Sequence, residues 1–219
     1  MIDFSIISSA LPHLLHGAKI SLQITLVSCS IGITLGTLLG LLQAGKNKFL
    51  KSLVTLYVTI IRGTPMLIQI IGFFYIFPAL GINFTAFWIA AVAIGLNSAA
   101  YISQTIRSGI LSVSQGTIEA AQVLGLSHWQ ITQFIILPQA IRVVLPALGN
   151  EFITLLKDSS LASVIGVQEL SKEGTLLMNT TYDAITSFAA VGFIYLLMTT
   201  TLSLFLNYLE KRMNHHALN

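Results

Sequence analysis

Long apolar stretches separated by short polar segments make up most of the chain. A helix that crosses a bilayer needs about 20 apolar residues. Three stretches reach that length with no charged side chain, and two more are interrupted by the tetrad Arg62-Gly63-Thr64-Pro65 and by Glu151. The pattern predicts an all-α membrane protein, a single domain over residues 1–219, with five spans at residues 20–44, 53–80, 84–106, 141–156 and 185–209.

The tetrad that begins with Arg62 predicts a break in the second apolar stretch. Proline has a fixed φ and no backbone N–H, so Pro65 interrupts a helix. We therefore expect residues 49–61 to lie along the membrane interface and residues 65–80 to cross the bilayer. Arg62 then lies at the cytoplasmic interface, where its side chain meets lipid phosphates or another loop.

The polar segment between the third and fourth spans, residues 107–140, carries the signals of two short helices. Gly116 and Thr117 mark the start of the first helix. Glu119 is expected in its first turn, where the helix dipole favours an anion. Gly125 is a natural C-terminal stop.

The second short helix has the start signal of a capping box. Ser127 is followed three residues later by Gln130, ahead of an apolar run. Pro138 is expected to end or bend that run. Two short helices therefore meet at a glycine corner between membrane spans.

The first span carries a row of glycines on one helix face. Gly32, Gly36 and Gly40 are four residues apart, a spacing that lets a neighbouring helix approach closely in a bilayer. The pattern leaves open whether that neighbour belongs to the same subunit or to a second one.

Composition and charge place the chain in a membrane and orient it. The chain is 54% hydrophobic and 9% charged, and its net charge of +3 indicates no nucleic-acid partner. Since basic residues favour the cytoplasmic side, we expect the N-terminus outside and the C-terminus and the 107–140 loop inside. The first residues lack the basic region of a cleaved signal peptide, so the first span is expected to be retained. The basic residues assigned to the cytoplasmic side are Lys46, Lys48, Lys51, Arg62, Arg107, Arg142, Lys211 and Arg212.

The sequence has no pattern that predicts a metal site or a nucleotide site. Cys29 is the only cysteine, which excludes an internal disulfide. The run from Gly40 through Gly45-Lys46 matches most of a phosphate-binding loop, but Asn47 replaces the expected serine or threonine and a membrane helix precedes it. We predict no metal and no cofactor. The histidines have no carboxylate at metal-ligand spacing: His13, His16, His128, His215 and His216.

Two acidic residues in the fourth span are the candidate substrate ligands. An ionisable group in a membrane helix is costly and indicates a functional site. Glu151 and Asp158 are seven residues apart, which on a helix places them about 20° apart on one face and about 10 Å apart in depth. This geometry suits an extended basic amino acid, with Asp158 at the α-amino group and Glu151 at the side chain. Asn97, Ser98 and Tyr101 would complete the pocket with hydrogen bonds.

Other roles for these acids remain open. Asp158 adjoins Lys157 and is equally suited to capping a helix or to forming a local pair. Glu151 has an alternative as a buried partner of Lys157 or Arg142. The following outward segment, residues 166–174, is suited to contact another protein or to gate the pocket, with a solvated loop as the alternative.

The polar segment also resembles a known family. Glu119-Ala120-Ala121, then Gly125, then Ile135-x-Leu137-Pro138 resemble the EAA loop of permease subunits of ABC importers. The resemblance implies that the helix around Glu119 to Leu124 docks in a groove of a separate ATPase and transmits its motion. The implied coupling residues are Glu119, Ala120, Ala121, Leu124 and Gly125.

Further motifs resemble the histidine/glutamine branch of these importers, the permeases of polar amino acids. Ser159 and the pair Ser103-Gln104 depart from the usual residues of that branch. Glutamate rather than glutamine after Gly149-Asn150 favours a basic substrate by resemblance. The matching motifs are Arg62-Gly63-Thr64-Pro65, Ala100-Tyr101, Arg107-Ser108-Gly109-Ile110, Gly149-Asn150-Glu151, Lys157-Asp158-Ser159-Ser160-Leu161 and Ile165-Gly166-Val167-Gln168-Glu169-Leu170.

The resemblance implies a bacterial inner-membrane permease subunit that imports a basic amino acid and is not itself an enzyme. Its implied partners are ABC ATPase subunits, a second permease subunit, identical or not, and an extracytoplasmic amino acid binding protein. Import of glutamine or another polar amino acid is the alternative. An ATP-independent carrier or channel is a further alternative, although it would need no docking loop.

Overall fold

The structure is a computed structural model that describes the backbone of residues 2–215 and the side chains of residues 2–212; His216 lies outside this range. The regular secondary structure of the described range is entirely helical. A π-helical segment, Thr132–Ile136, joins α6 to α7, and a 3₁₀ segment, Ser159–Ile165, follows α7. The α-helices are α1 Phe4–Ala44, α2 Lys48–Arg62, α3 Met66–Ala79, α4 Ala86–Leu111, α5 Gln115–Val123, α6 His128–Ile131, α7 Leu137–Asp158, α8 Leu170–Thr181 and α9 Ala184–His215.

The membrane-crossing helices agree with the five-span prediction. Within the described residues, α1, α4, the continuous helical segment His128–Ile165 and α9 are each long and apolar enough to span a bilayer. Helices α2 and α3 meet at an angle of 104° and together form a broken fifth span. The all-α membrane fold is therefore confirmed.

Two of the helices extend well beyond the predicted spans. Helix α1 begins at Phe4 instead of residue 20, because Asp3 caps it by accepting a 2.8 Å hydrogen bond from the Ser5 N–H, and Lys19 does not interrupt a helix. The continuous helical segment that contains the fourth predicted span begins at His128, well before residue 141. Charged residues restrict the position of a helix in the bilayer, but they do not end the helix.

The helix that follows the glycine corner runs on through Pro138. Its capping box is present, with both reciprocal hydrogen bonds between Ser127 and Gln130. In the π-helical segment, the Leu137 N–H donates to Thr132 O, five residues back. This wider turn accommodates a residue without an N–H. Of the two outcomes predicted at Pro138, an end of the run is wrong, and a bend stays a prediction.

The first short helix starts earlier than its glycine signal predicts. Ser114 is the N-cap of α5 and accepts from the Thr117 N–H. Glu119 consequently lies beyond the first turn, which contains no acidic residue. Gly125 does end the corner as predicted, because its φ of +81° is a left-handed conformation that favours glycine.

The glycine row of α1 packs against α4 of the same subunit. A Cβ on Gly36 would lie 2.7 Å from the Ile102 Cβ, and one on Gly40 would lie 2.7 Å from the Ile106 Cβ. The predicted close approach is confirmed and lies within one chain. Since later glycines meet later residues of α4, the two helices are parallel and end on the same side of the bundle.

The break between α2 and α3 lies in the middle of the bundle. A linker of three residues separates α1 from α2. Helix α2 packs Val54 and Val58 around Ala100 of α4. It ends with Arg62 stacked on Tyr101. The predictions that residues 49–61 lie along the interface and that Arg62 lies at the cytoplasmic surface are therefore wrong. Ala100 has only a methyl side chain, which leaves room for α2 to approach the centre of α4.

Candidate functional site

A polar cavity of 570 Å³ opens where the second span is broken. The break, the middle of α4 and the last two turns of α7 form its walls. It brings together four of the five predicted substrate residues, Asn97, Tyr101, Glu151 and Asp158. The complete lining consists of Arg62, Gly63, Thr64, Pro65, Met66, Asn97, Tyr101, Glu151, Thr154 and Asp158.

Gln69 holds the break open. Its amide nitrogen donates to Ile61 O at 2.8 Å and to both the carbonyl and hydroxyl oxygens of Thr64, at 3.1 and 2.8 Å. Its amide oxygen accepts from Asn97 Nδ2 at 2.9 Å. A broken helix inside a bilayer frees backbone carbonyls that need internal donors. Gln69 supplies those donors, and Asn97 fixes Gln69 from α4.

The two acids share the cavity as their spacing predicts. Glu151 and Asp158 both project from α7 into it. Asp158 makes no side-chain cap to the 3₁₀ segment that follows, so the capping alternative is not supported. Glu151 accepts a hydrogen bond from Ser98 Oγ at 2.7 Å. Lys157, an alternative partner of both acids, lines a separate groove with Thr199.

Ser98 has a different position from the one predicted. Its side chain is fully buried behind Glu151 and does not line the cavity. The predicted hydrogen bond from Ser98 to the substrate is therefore replaced by a hydrogen bond that orients the Glu151 carboxylate. Asn97 lines the cavity, but it donates to Gln69.

A positive region lines the same cavity as these acids. The Arg62 guanidinium lies 5.0 Å from the centre of the Tyr101 ring, which orients it by a cation–π contact. Helix α3 also begins at the cavity. Its N-cap, Pro65, makes no side-chain hydrogen bond, and the first N–H groups of a helix have no intrahelical acceptor. The cavity therefore contains both hydrogen-bond acceptors and hydrogen-bond donors.

The sequence reasoning missed Arg62, Thr64 and Thr154 as cavity residues, and it missed Gln69 as the residue that supports the break. The tetrad around Thr64 was a usable signal, because half-helix ends at a break in a membrane span are typical places for ligands. Gln69 is a half-buried polar residue four positions after Pro65. At this spacing its side chain reaches back to the break and stabilises it. Thr154 lies between the two predicted acids on the same helix face.

Helices α5 and α6 meet at Gly125, and we call this region, residues 115–131, the α5 corner. It exposes an apolar surface. Glu119, Ala120 and Gly125 are exposed, as is 79% of Leu124. Ala121 is only 4% exposed, so it packs within this chain instead of offering a contact surface. Two residues that the motif does not include enlarge the apolar surface, since 88% of Val123 and 73% of Trp129 are exposed.

The segment predicted to be an outward contact contains a buried carboxyl group. Glu169 is fully buried and is the N-cap of α8, accepting from the N–H groups of Ser171 and Lys172 at 2.9 Å each. It also accepts from Ser21 of α1 at 3.1 Å and from Tyr195 of α9 at 2.8 Å. Burial raises the pKa of the Glu169 carboxyl, and its hydrogen bonds act in the opposite direction. The solvated-loop alternative is wrong for this residue.

No group of three or more His, Cys, Asp or Glu side chains in the described part of the chain is close enough to hold a metal ion. Cys29 is a free, buried thiol in α1.

A bundle of membrane-crossing helices with a charged cavity at a broken span defines a membrane transport protein. The chain belongs to the family of binding-protein-dependent transport system inner membrane components, which its residues 32–215 match. This result confirms the resemblance to permease subunits of ABC importers.

Individual relatives cover nearly the whole chain. The glutamine transport system permease protein GlnP of Escherichia coli (strain K12) is 36% identical over 96% of this chain and 97% of GlnP. The arginine transport system permease protein ArtQ of Bacillus subtilis (strain 168) is 33% identical over 97% of both chains. A crystal structure of an amino acid ABC transporter with histidines has a TM-score of 0.91 at 35% identity, covering 97% of this chain and 99% of the other.

Proposed function

We propose that the chain is the permease subunit of an ABC importer that carries an amino acid, preferably a basic one, into the cytoplasm. The observation that carries the proposal is the polarity of the cavity. Two carboxylates two turns apart share a cavity of 570 Å³ with an arginine and a helix N-terminus that has no side-chain cap. An α-amino acid with a cationic side chain has two positive groups and one negative group, which matches this arrangement.

Each substrate group has a complementary partner in the cavity. Asp158 holds the α-ammonium group, and Glu151, oriented by Ser98, holds the distal cationic group. The α-carboxylate is held by the N-terminal N–H groups of α3, since a half-helix N-terminus favours an anion. Arg62 adds a positive charge on the same side. Thr154 and Tyr101 fill the space between these ends with one hydroxyl group and one aromatic ring.

Glutamine is the second candidate substrate. The names of the relatives include both a glutamine and an arginine permease, and an ionised Glu151 also accepts a hydrogen bond from a carboxamide N–H. The two candidates differ in how strongly they depend on the Glu151 charge. A cationic side chain loses a charge-assisted hydrogen bond when that charge is removed, whereas a carboxamide loses a weaker one.

The proposed partners follow from the α5 corner and from the topology. Because α1 and α4 are parallel, Lys46 and Lys48 lie on the same side of the bundle as α5, which supports a cytoplasmic position for both under the positive-inside rule. Separate ATPase subunits dock at this corner and hydrolyse ATP. A second permease subunit and an extracytoplasmic binding protein complete the importer, and ATPase closure alternates access to the cavity. The exposed α5 surface favours this function over a carrier or channel.

The test is competition for amino acid uptake in cells that produce the assembled importer. Glu151→Gln keeps the side-chain size and removes the charge. We expect arginine and lysine to compete about 10- to 100-fold less effectively in this variant, the effect of losing a hydrogen bond to a charged group. Glutamine competition should change by less than about threefold. Glu210→Gln, outside the cavity, is the matched control. Unchanged competition by basic amino acids would refute the substrate preference, and absence of amino acid uptake by wild type would refute the function.

A further inference from the structure

Helix α2 has three distinct faces. Val54 and Val58 are buried against the rest of the bundle. A second face is apolar and exposed, formed by Phe49, Leu53, Leu56 and Ile60. The third face is polar and equally exposed. It consists of Lys48, Lys51, Ser52, Thr55 and Thr59.

The polar face forms a continuous stripe. At 100° per residue, Lys48, Lys51, Ser52, Thr55 and Thr59 fall within a sector of about 100° on the helix surface. A groove of 490 Å³ runs along them. We call these five residues the α2 stripe. The Thr59 end of the stripe is one turn from Arg62, which lies in the same sector of the helix and lines the cavity.

The stripe therefore connects the cavity with one end of the bundle. From Lys48 to Arg62, helix α2 rises about 21 Å, starting beside the end of α1. The apolar face is suited to lipid. The stripe is not, because uncovered polar and charged side chains in hydrocarbon are costly and typically line a water-filled space.

We propose that the α2 stripe lines a water-filled exit path along which the substrate leaves the cavity toward the Lys48 end of the bundle. This inference rests on the proposed function. The hydroxyl groups of Ser52, Thr55 and Thr59 offer weak, replaceable hydrogen bonds, and the Thr55 hydroxyl already donates to Lys51 O at 2.7 Å. Such weak sites suit a path that must release its cargo.

The lysines at the end of the path support release instead of binding. Lys48 and Lys51 cannot hold a cationic amino acid, so the last part of the path has no binding site for the proposed substrate. The acids that bind it, Glu151 and Asp158, both lie at the cavity end. The opposite wall of the path belongs to the second permease subunit. If that subunit instead covered the stripe completely, the stripe would be a dry interface.

Cysteine labelling separates these two arrangements. In a Cys29→Ser background, Ser52→Cys, Thr55→Cys and Thr59→Cys place a thiol on the stripe. Leu53→Cys and Ile60→Cys place one on the adjacent apolar face of the same helix. The assembled importer in sealed membrane vesicles of either orientation is treated with a membrane-impermeant, cationic methanethiosulfonate reagent.

We expect the stripe cysteines to react at least about tenfold faster than the apolar-face cysteines, because the reagent needs a hydrated thiolate. They should react only when the reagent is added on the Lys48 side. Equal rates on both faces, or reaction only from the opposite side, would overturn the exit path. Amino acid uptake is measured on the same vesicles. Normal uptake with an unlabelled stripe refutes the path alone, whereas absent uptake in the Cys29→Ser parent and in wild type refutes the proposed function.

Discussion

The distance between α1 and α4 depends on residues that have no side chain. At Gly36, a Cβ would lie 2.7 Å from the Ile102 Cβ and 2.9 Å from the Ala99 carbonyl oxygen. A backbone oxygen cannot rotate away as a flexible side chain can. Gly36→Ala should therefore separate the helices and lower the free energy of unfolding by about 1–3 kcal/mol, the usual cost of overpacking. Denaturation in mixed detergent micelles measures this change.

Gly72→Ala in α3 is the matched control. A Cβ at Gly72 meets nothing within 4 Å, and alanine favours a helix over glycine by up to about 1 kcal/mol. This variant should be as stable as wild type or slightly more stable. Equal destabilisation by both substitutions would show that glycine flexibility, and not close packing, determines the effect.

At the same scale, the sequence predicted the residues whose positions follow from helix periodicity. Glu151 and Asp158 share a cavity because a seven-residue spacing on one helix brings them to one face, whatever surrounds it. The position of Arg62 depends on where α2 ends relative to α4, and the burial of Ser98 depends on which face of α4 meets α7. Those are properties of tertiary packing, and no local pattern contains them.

Helix α8 is joined to the bundle through its N-cap. Glu169 accepts hydrogen bonds from two α8 N–H groups, from Ser21 and from Tyr195. Glu169→Ala leaves all four donors without their acceptor in a buried site, so the free energy of unfolding should fall by about 3 kcal/mol or more. Glu169→Gln keeps one acceptor oxygen and should lose roughly half as much. Thermal unfolding of the purified importer measures both changes.

Glu173→Gln provides the control, because Glu173 lies on the same helix but does not cap it. This substitution removes only the helix-dipole contribution of an acid in the first turn, so it should lower the free energy of unfolding by at most about 1 kcal/mol. Equal stability of Glu169→Ala and Glu173→Gln would contradict the role of Glu169 in joining α1, α8 and α9.

Helix existence was predictable, whereas several helix ends were not. The apolar lengths gave the spans, and the capping box of Ser127 and Gln130 gave the start of α6. Pro138 did not end its helix because the preceding π-helical segment accommodates the missing donor. Glu169 looked like a loop residue because its four partners come from α1, α8 and α9, which are distant in sequence. Local signals thus predict helices better than they predict where tertiary contacts extend or bury them.

At the scale of the whole molecule, α5 is the proposed connection to a motor on another polypeptide. The exposed surface of Glu119, Val123, Leu124 and Trp129 is mostly apolar with one charge. An apolar surface of this kind, at the same end of the bundle as Lys46, suits a protein interface, in which a few residues carry most of the binding energy. Ala121 is buried, so its smallness lets α5 pack on its own subunit.

Glu119→Ala removes the charged anchor of this surface without affecting a buried contact. We expect ATPase association to weaken about tenfold, equivalent to ~1.4 kcal/mol, and nucleotide-dependent uptake to fall with it. Gln122→Ala, on an exposed position of the same helix, should change neither quantity. Copurification of the ATPase and uptake in proteoliposomes are measured together with the amount of folded permease, which should equal wild type in both variants because neither side chain is buried. Undiminished uptake in Glu119→Ala would rule out its role as the anchor, and an equal loss in Gln122→Ala would indicate general damage to α5 instead of a specific contact.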